Sequence, residues 1–508
     1  MQVSRLGLGY DLLDNTAMDV ISYRGPGVAG GVSTGLTRAW QTQTDSQPNC
    51  WWFLDGELVK SLTNKQTESR VVGIIDPETI QAHYRYCNEF IWPLMHDLPQ
   101  HVRYNAADRE SYRHFNIAIA RTAGEGHTRF HQTFVQDYQL ALLPSYMQFE
   151  STRRCLVFWH IPWPRNVLKT HIEPLMEIAR GLLTAERIGF HTAEYAQNFM
   201  RFVKDNMPGY TVEEEYMFVR SYELGTELKT IESRRKSTAA GAPSYINRPI
   251  PKFRDTDTSA GTLISVQPFG IDYEYWESFS PTPDVVREIS DLGIDLKKTF
   301  VLSVDRADYT KGVKERIRAI DAFFSKYPEQ RGKITFVQLC GRTRTRLAEF
   351  DRYWDECQDS ARVLNSRLAQ GKWTPLLWVE QSVSAAHLAV LYFHARIMFI
   401  NPVRDGLNLT AKEFVACQKN NPGALLLSPG AGVWQELSQH ALRIDSGRPD
   451  ITADTIAAAL KMGGMERRRR ITEMQEIVKQ ASLQHWWTTF SSRPSPPVPA
   501  EQRSESIA

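Results

Sequence analysis

The chain has 508 residues, 42% hydrophobic and 23% charged, which is more than one hydrophobic core holds and points to two or three domains. The formal net charge of +2, from 60 basic and 58 acidic residues, leaves no electrostatic footprint for a nucleic acid partner. No apolar run reaches the roughly 18 residues of a membrane span, the N-terminus has no signal-peptide core, and the six cysteines form no CxxC pair, so a cytoplasmic, reducing setting is expected rather than a zinc or disulfide framework.

The first 17 residues favour neither strand nor helix. Residues 20–23 read as a strand that ends in a Gly/Pro turn, and "GVAGGVSTGLTRAW" as a glycine-rich turn opening a helix. Further strands are expected at 50–54, 71–75, 155–160 and 187–190, with helical patterns between them. Strands alternating with helices predict a parallel, doubly wound α/β sheet. Residues 232–262 are rich in Ser, Thr, Pro, Gly and charge and read as a long surface loop. A second βα series follows, with strands at 300–304, 334–339, 376–379, 397–400 and 424–428. Residues 451–490 read as helical. The Pro/Ser-rich tail, 491–508, reads as disordered. Two doubly wound halves of similar size are expected, with the ligand crevice between them.

Ligands of open α/β sheets bind at the carboxyl ends of strands, near helix N-termini, so strand-end loops are where chemistry is sought. In "SVDRADYTKG", 303–312, Arg306 and Lys311 stand where a strand gives way to a helix. A planar fork and a point charge together suit a diphosphate; the plainer reading pairs them with Asp305 and Asp308. In "NPVRDGLNLTAKEFV", 401–415, Gly406 permits an unusual backbone, Asn408 and Thr410 are helix-cap residues, and Lys412 and Glu413 follow in the first turn. Its N–H groups suit sugar hydroxyls or a phosphate, and Glu413 a ribose; the plainer reading is a capped helix. "FWHIPWP", 158–164, puts His160 at a strand end beside stiffening prolines. "VQDYQL" puts Asp137 at another. "CGRTRTR", 340–346, carries Arg342, Arg344 and Arg346 and reads as an anion site or a solvated turn. The "DTD" at 255–257 has no strand before it and is set aside as a metal site. No HExxH, GxSxG or Walker loop occurs.

Taken together, "SVDRADYTKG", "PVRDGLNLTAKEF", "WHIPWP", "VQDYQLALLP", "FIWP" and "RIGFHTAEYAQNF" stand in an order that resembles the retaining glycosyltransferases related to trehalose-6-phosphate synthase, from about Asp19 to Phe490. The resemblance implies a GT-B fold, two Rossmann-like doubly wound domains facing across a crevice. It implies an acceptor-binding domain at 18–273, a nucleotide-sugar domain at 274–473, and a C-terminal helix, 474–490, packing back on the first. Arg306 and Lys311 would grip the donor diphosphate and Glu413 the ribose. Asp405, Gly406, Leu407, Asn408 and Leu409 would hold donor sugar and phosphate, and Gly31, in the "AGG" turn, would close as a mobile loop. His160 would contact the donor sugar, and Asp137 the acceptor. Arg24, Trp92 and Arg344 would hold the acceptor phosphate. His160, Asp137, Arg306 and Lys311 are thus the expected catalytic set.

The implied reaction is glucose transfer from a nucleotide-glucose to glucose 6-phosphate, with retention, no metal and no cofactor beyond the nucleotide sugar as co-substrate. The expected partners are the nucleotide sugar and the sugar phosphate, with a homo-oligomer left open. Three departures bear on the acceptor. The family's His-Asp-Tyr-His is Gln136-Asp137-Tyr138-Gln139 here, the N-terminal glycine-rich loop is short, and His83 stands where a phosphate-binding tyrosine is usual. Glycerol 3-phosphate or a cyclitol phosphate is therefore the alternative acceptor. A catalytically silent sugar-phosphate sensor is the alternative from another class, although such a chain would be expected to lose the Arg306/Lys311 pair.

Overall fold

Runs of β-branched, aromatic and leucine residues bounded by turn formers build two sheets. The computed structural model describes residues 18–27, 31–41, 49–125, 132–147, 154–221 and 261–492. The expectations for the first 17 residues, for 232–260 including Asp255 to Asp257, and for the tail from 493 onward lie outside the described residues. The chain divides into two compact units, one of Met1–Leu94, Arg103–Gln267 and Trp487–Ala508, the other of Met95–Val102 and Pro268–Trp486.

The first unit holds strands β1 (Met18–Arg24), β2 (Cys50–Asp55), β3 (Leu58–Thr63), β4 (Arg70–Ile74), β5 (Gln132–Gln136), β6 (Cys155–Trp159), β7 (Arg187–Phe190), β8 (Tyr210–Glu213), β9 (Phe218–Ser221) and β10 (Gly261–Val266). They form one sheet in the order β4-β3-β2-β1-β5-β6-β7-β10-β9-β8. The six strands from β2 to β10 in that order run parallel. Antiparallel ribbons extend both ends. The central strands β5, β6 and β7 are buried throughout, as expected for a sheet covered on both faces. Gly261 and Thr262 belong to β10 rather than to the expected loop, because they pair with Arg220 and Val219 of β9.

The second unit holds β11 (Phe300–Arg306), β12 (Thr335–Gly341), β13 (Leu376–Val379), β14 (Ile397–Ile400), β15 (Ala424–Leu427) and β16 (Leu442–Arg443). The sheet is parallel throughout, in the order β13-β12-β11-β14-β15-β16. Numbered from its own first strand this is 3-2-1-4-5-6, the Rossmann order, whose ligand site lies where the order reverses, between β11 and β14. The parallel part of the first sheet reads 2-1-3-4-5-6 in the same terms and reverses between β1 and β5.

The expected helical stretch from 451 resolves into helices Pro449–Lys461, Gly464–Gln480 and Leu483–Ser491. The end of the last is clamped within the first unit. Arg187, 3% exposed on β7, donates from Nη1 to the carbonyls of Phe490 at 2.8 Å and Thr489 at 3.2 Å, and from Nη2 to that of Ser492 at 3.0 Å. A helix leaves its last carbonyls without intrahelical partners, and a cation there also meets the negative end of the helix dipole. Arg187→Leu should lower the unfolding free energy by about 3 kcal/mol, since it strands buried carbonyls. Urea unfolding of the full chain measures this, with limited proteolysis reporting release of the C-terminal helix; an unchanged midpoint together with an unchanged cleavage pattern would refute the clamp.

Candidate functional site

In the first unit a cavity of about 140 Å³ opens at the carboxyl ends of β1, β5 and β6, lined by Ser22, Arg24, Trp51, Gln136, Asp137 and His160 among others. This is where the strand order reverses. His160 follows β6 directly and is buried. Its Nε2 lies 2.8 Å from Gln136 Oε1 and its Nδ1 3.3 Å from His191 Nε2. Its backbone N–H donates to Asp137 Oδ1 at 3.0 Å. Burial pushes its pKa down to about 3, so the ring is neutral and works by hydrogen bonds, not charge. Asp137 adopts φ 68° and ψ 177°, a region that costs a non-glycine residue roughly 1–3 kcal/mol.

Arg24 is exposed at the end of β1 and lines the same cavity. Trp92 is buried after a π-helical segment, Tyr86–Ile91, against Tyr138. Gly31 is corrected: it is the first residue of the helix Gly31–Gln41 rather than part of a turn. His83 is corrected as well. It is fully buried, stacked against Phe115 at 3.8 Å and Tyr112 at 5.3 Å between ring centroids. Its Nε2 lies 2.9 Å from the carbonyl oxygen of Gln139, and burial lowers its pKa to about 4. The ring is neutral, enclosed and engaged through Nε2, so it brings no positive charge to a phosphate.

In the second unit Arg306 and Lys311 stand at the end of β11, and residues 401–415 at the end of β14. Arg306 is exposed. Lys311 Nζ pairs with Asp405 Oδ2 at 2.5 Å, across the strand-order reversal. Asp405 Oδ2 also accepts from Asn408 Nδ2 at 3.1 Å. Asn408, at φ 83°, caps the helix Leu409–Cys417 by accepting from the Ala411 N–H. The cap leaves the turn at Gly406 and Leu407 just outside the helix start, where backbone donors and the dipole favour an anion. Glu413 is buried, accepts from the Tyr392 hydroxyl at 3.1 Å, and has its pKa pushed up to about 7 by burial, partly opposed by that hydroxyl.

Asp305 and Asp308 each form an ion pair with another arginine. Asp305 pairs with the buried Arg316 at 2.7 Å. Asp308, fully buried, pairs with Arg344 at 2.5 Å and accepts from the N–H and hydroxyl of Thr310. Burial would raise its pKa, but Arg344 and Arg306 outweigh it and hold it near 2. The arginine triplet does not act as one anion site: Arg344 serves Asp308, whereas Arg342 pairs with Asp351 at 2.8 Å. Two contributors escaped the sequence reading. His191 sits one residue past β7 as His160 sits one past β6, and that parallel placement was the available signal. Gln136 was noticed only as a departure from a motif. Among the described residues no group of three or more His, Cys, Asp or Glu side chains could hold a metal, and no helix is long and apolar enough to cross a membrane.

The family model for Glycosyltransferase family 20 matches residues 38–494. The chain is 30% identical over 420 residues to a bifunctional trehalose-6-phosphate synthase/phosphatase of Thermoproteus tenax, covering 82% of this chain and 52% of that protein. It is 26% identical over 472 residues to a trehalose-6-phosphate synthase of Enterobacter sp. (strain 638), covering 91% and 90%. The chain spans about half the length of the first curated relatives it matches. Among solved structures it superposes on an α,α-trehalose-phosphate synthase (UDP-forming) from Burkholderia xenovorans in complex with glucose-6-phosphate, with TM-score 0.76, 23% identity, and 93% of this chain and 98% of that one covered. It also superposes on an E. coli protein bound with UDP-2-fluoro glucose, with TM-score 0.74, 22% identity, and 94% and 98% covered. At these identities the structural likeness speaks to fold.

Asp308 yields a test that needs no substrate. Its pKa near 2 lies below the roughly 3.9 of an unfolded aspartate. Its contribution to stability is therefore present above about pH 4 and lost as pH falls toward 2. Arg344→Met should destabilise the fold by about 3 kcal/mol at pH 7 by leaving a buried carboxylate uncompensated, and Asp308→Asn should flatten the acid limb of the Tm–pH curve. An acid limb unchanged in Asp308→Asn would contradict this account.

Proposed function

Because the chain belongs to glycosyltransferase family 20, we propose that it is a retaining hexosyltransferase that moves glucose from UDP-glucose to glucose 6-phosphate, giving trehalose 6-phosphate. Its two Rossmann-like units are those of a GT-B enzyme. One observation carries the reading: Arg306, Lys311 and the Asn408-capped helix stand on the two strand ends that flank the reversal of a 3-2-1-4-5-6 sheet. Relatives named for the same reaction support the choice of substrates.

The bond to be broken joins a sugar carbon to a diphosphate, so negative charge grows on the leaving oxygen. Cations and backbone donors already in place lower that barrier without reorganising. Arg306 and Lys311 supply the charge; the turn from Asp405 to Leu409 supplies donors for sugar and phosphate; Glu413 takes a ribose hydroxyl. The acceptor hydroxyl attacks on the face from which the diphosphate leaves. A carbon–oxygen bond forms as the old one breaks, and the hydroxyl proton passes to the departing phosphate oxygen. Configuration is retained with no enzyme nucleophile and no metal step. His160, being neutral, orients the donor sugar by hydrogen bonding. Asp137 orients the acceptor, and Arg24, exposed at the end of β1, meets its phosphate. We place the protein in the cytoplasm, where all six of its cysteines remain free thiols.

The enclosed His83 removes one group from the expected phosphate pocket, which favours testing glycerol 3-phosphate and a cyclitol phosphate beside glucose 6-phosphate. A panel of UDP-, GDP- and ADP-glucose against the three acceptors, read by nucleoside diphosphate release and product mass, should give a disaccharide phosphate with UDP-glucose and glucose 6-phosphate. Activity should persist in EDTA and fall at least about a hundredfold in Arg306→Ala. Binding without release for every pair would move the protein to a sensor role. A second test concerns pH. With its pKa near 7, Glu413 gains its charge as pH rises from 6 to 8, so UDP affinity by calorimetry should strengthen over that range. Glu413→Gln should be weaker and flat with pH; a wild-type affinity that does not change would remove the ribose role.

A further inference from the structure

Neighbouring residues of a strand normally send their side chains to opposite faces. At the end of β5 they do not act apart. Asp137, held at φ 68°, accepts the backbone N–H of His160, while Gln136 faces the His160 ring with Oε1 2.8 Å from Nε2. One dipeptide thus holds the histidine from its backbone and from its ring. If His160 donates its Nε2–H to that carbonyl oxygen, its Nδ1 accepts from His191 Nε2–H at 3.3 Å, and both tautomers are set.

A carboxamide has two ends, and only one is used. Gln136 is 3% exposed, lines the cavity with Arg24, Asp137 and His160, and its Nε2 has no hydrogen-bond partner among the described residues. Burying an NH₂ group without an acceptor is costly. The cavity beside it adjoins the aspartate and arginine assigned above to a phosphorylated acceptor. A histidine in this position, bound to His160 through one ring nitrogen, would also have a second nitrogen to offer, but one that titrates. The glutamine offers a permanent donor in its place.

We propose that Gln136 is an acceptor-binding residue of this chain, its Nε2 donating to an oxygen of the phosphorylated acceptor while its Oε1 positions the His160 ring. This rests on the reading of the site as a glycosyltransferase acceptor pocket. It makes Gln136 a determinant of acceptor choice that also reports acceptor binding to the histidine expected at the donor sugar.

The two ends of the side chain are separable by substitution. Gln136→Glu keeps an oxygen for His160 and loses the donor; Gln136→Leu loses both. Both variants should raise the acceptor KM by about tenfold or more, with the UDP-glucose KM moving less than about twofold. Only Gln136→Leu should also lower kcat. A second readout uses the unmutated protein. In [15N]glutamine-labelled wild type, the Gln136 side-chain NH₂ resonance, assigned by its loss in Gln136→Glu, should shift on adding glucose 6-phosphate, glycerol 3-phosphate or a cyclitol phosphate without donor. A shift without turnover in the wild type supports the subsite and shows that it is the activity reading that fails. Turnover with an unmoved resonance overturns the proposal, as does an equal rise in both KM values. Neither turnover nor a shift overturns both.

Discussion

Each sheet of this protein has one place where its strand order turns round. In a parallel sheet every strand end is roofed by the connection that leaves it, except where neighbouring connections leave toward opposite faces. That topological gap is the constraint on which the chemistry depends. In the second unit it falls between β11 and β14, and the basic turn of one strand and the capped helix of the other are its two lips. In the first unit it falls between β1 and β5, and the cavity with Arg24, Gln136 and Asp137 occupies it. Polar residues gather there because the topology leaves room beside those strand ends.

The lips of the second gap are laced together by polar contacts. Gly312, at φ 68°, sits so near the carbonyl oxygen of Asn401 that a Cβ would lie 2.3 Å from it. Asn401 Nδ2 donates to the Gly312 carbonyl at 2.9 Å and its Oδ1 accepts from Arg316 Nε at 2.7 Å. Arg316, 1% exposed, also holds Asp305 and Gln338. The turn that carries Lys311 is therefore fixed to the end of β14 by backbone approach, side-chain amide and guanidinium at once. Buried arginine–carboxylate sets of this kind add little net stability; what they do provide is one geometry. With Asp305 paired to Arg316 and Asp308 to Arg344, the ion pair of Lys311 is with Asp405, a residue of the opposite lip. On the proposed reaction, a diphosphate arriving there would meet a lysine already oriented and a carboxylate that must share it.

Where the sequence was legible, a strong local signal coincided with a covered sheet. The apolar runs Arg187–Phe190, Leu376–Val379 and Ile397–Ile400 have the bounds their patterns give. β11 runs on to Arg306 although the charged pair Asp305-Arg306 reads as a strand's end, because Cys340 and Gly341 continue the ladder beside it. β3 was missed. Its Leu-Val-Lys-Ser-Leu-Thr has weak alternation, yet Asp55-Gly56, with Gly56 at φ 63°, is a hairpin signal that deserved more weight. The turns at 306–311 and 405–409 were legible because turn chemistry is local: a glycine, a cap and a basic residue lie within a few positions. The acceptor side was not, because it depends on which side chains three separate strand ends bring together. The sequence does not say that His83 stacks on Phe115 or that His160 reaches His191.

The two units also divide the electrostatic work. The second supplies full charges, Arg306 and Lys311, beside a helix start. The first supplies a neutral, buried histidine, a carboxamide and a carboxylate in a strained turn, with Arg24 as the exposed cation. On the proposed reaction, this division follows from what each substrate asks for. A departing diphosphate gains charge and is best met by fixed cations. A sugar hydroxyl passes its proton on as it attacks and develops little charge itself, so it is best met by neutral groups that orient it. Replacing histidine by glutamine at 136 carries the first unit further in the same direction. It puts a neutral carboxamide in the wall that orients hydroxyls, and leaves hydrogen-bond geometry as the means of selection there.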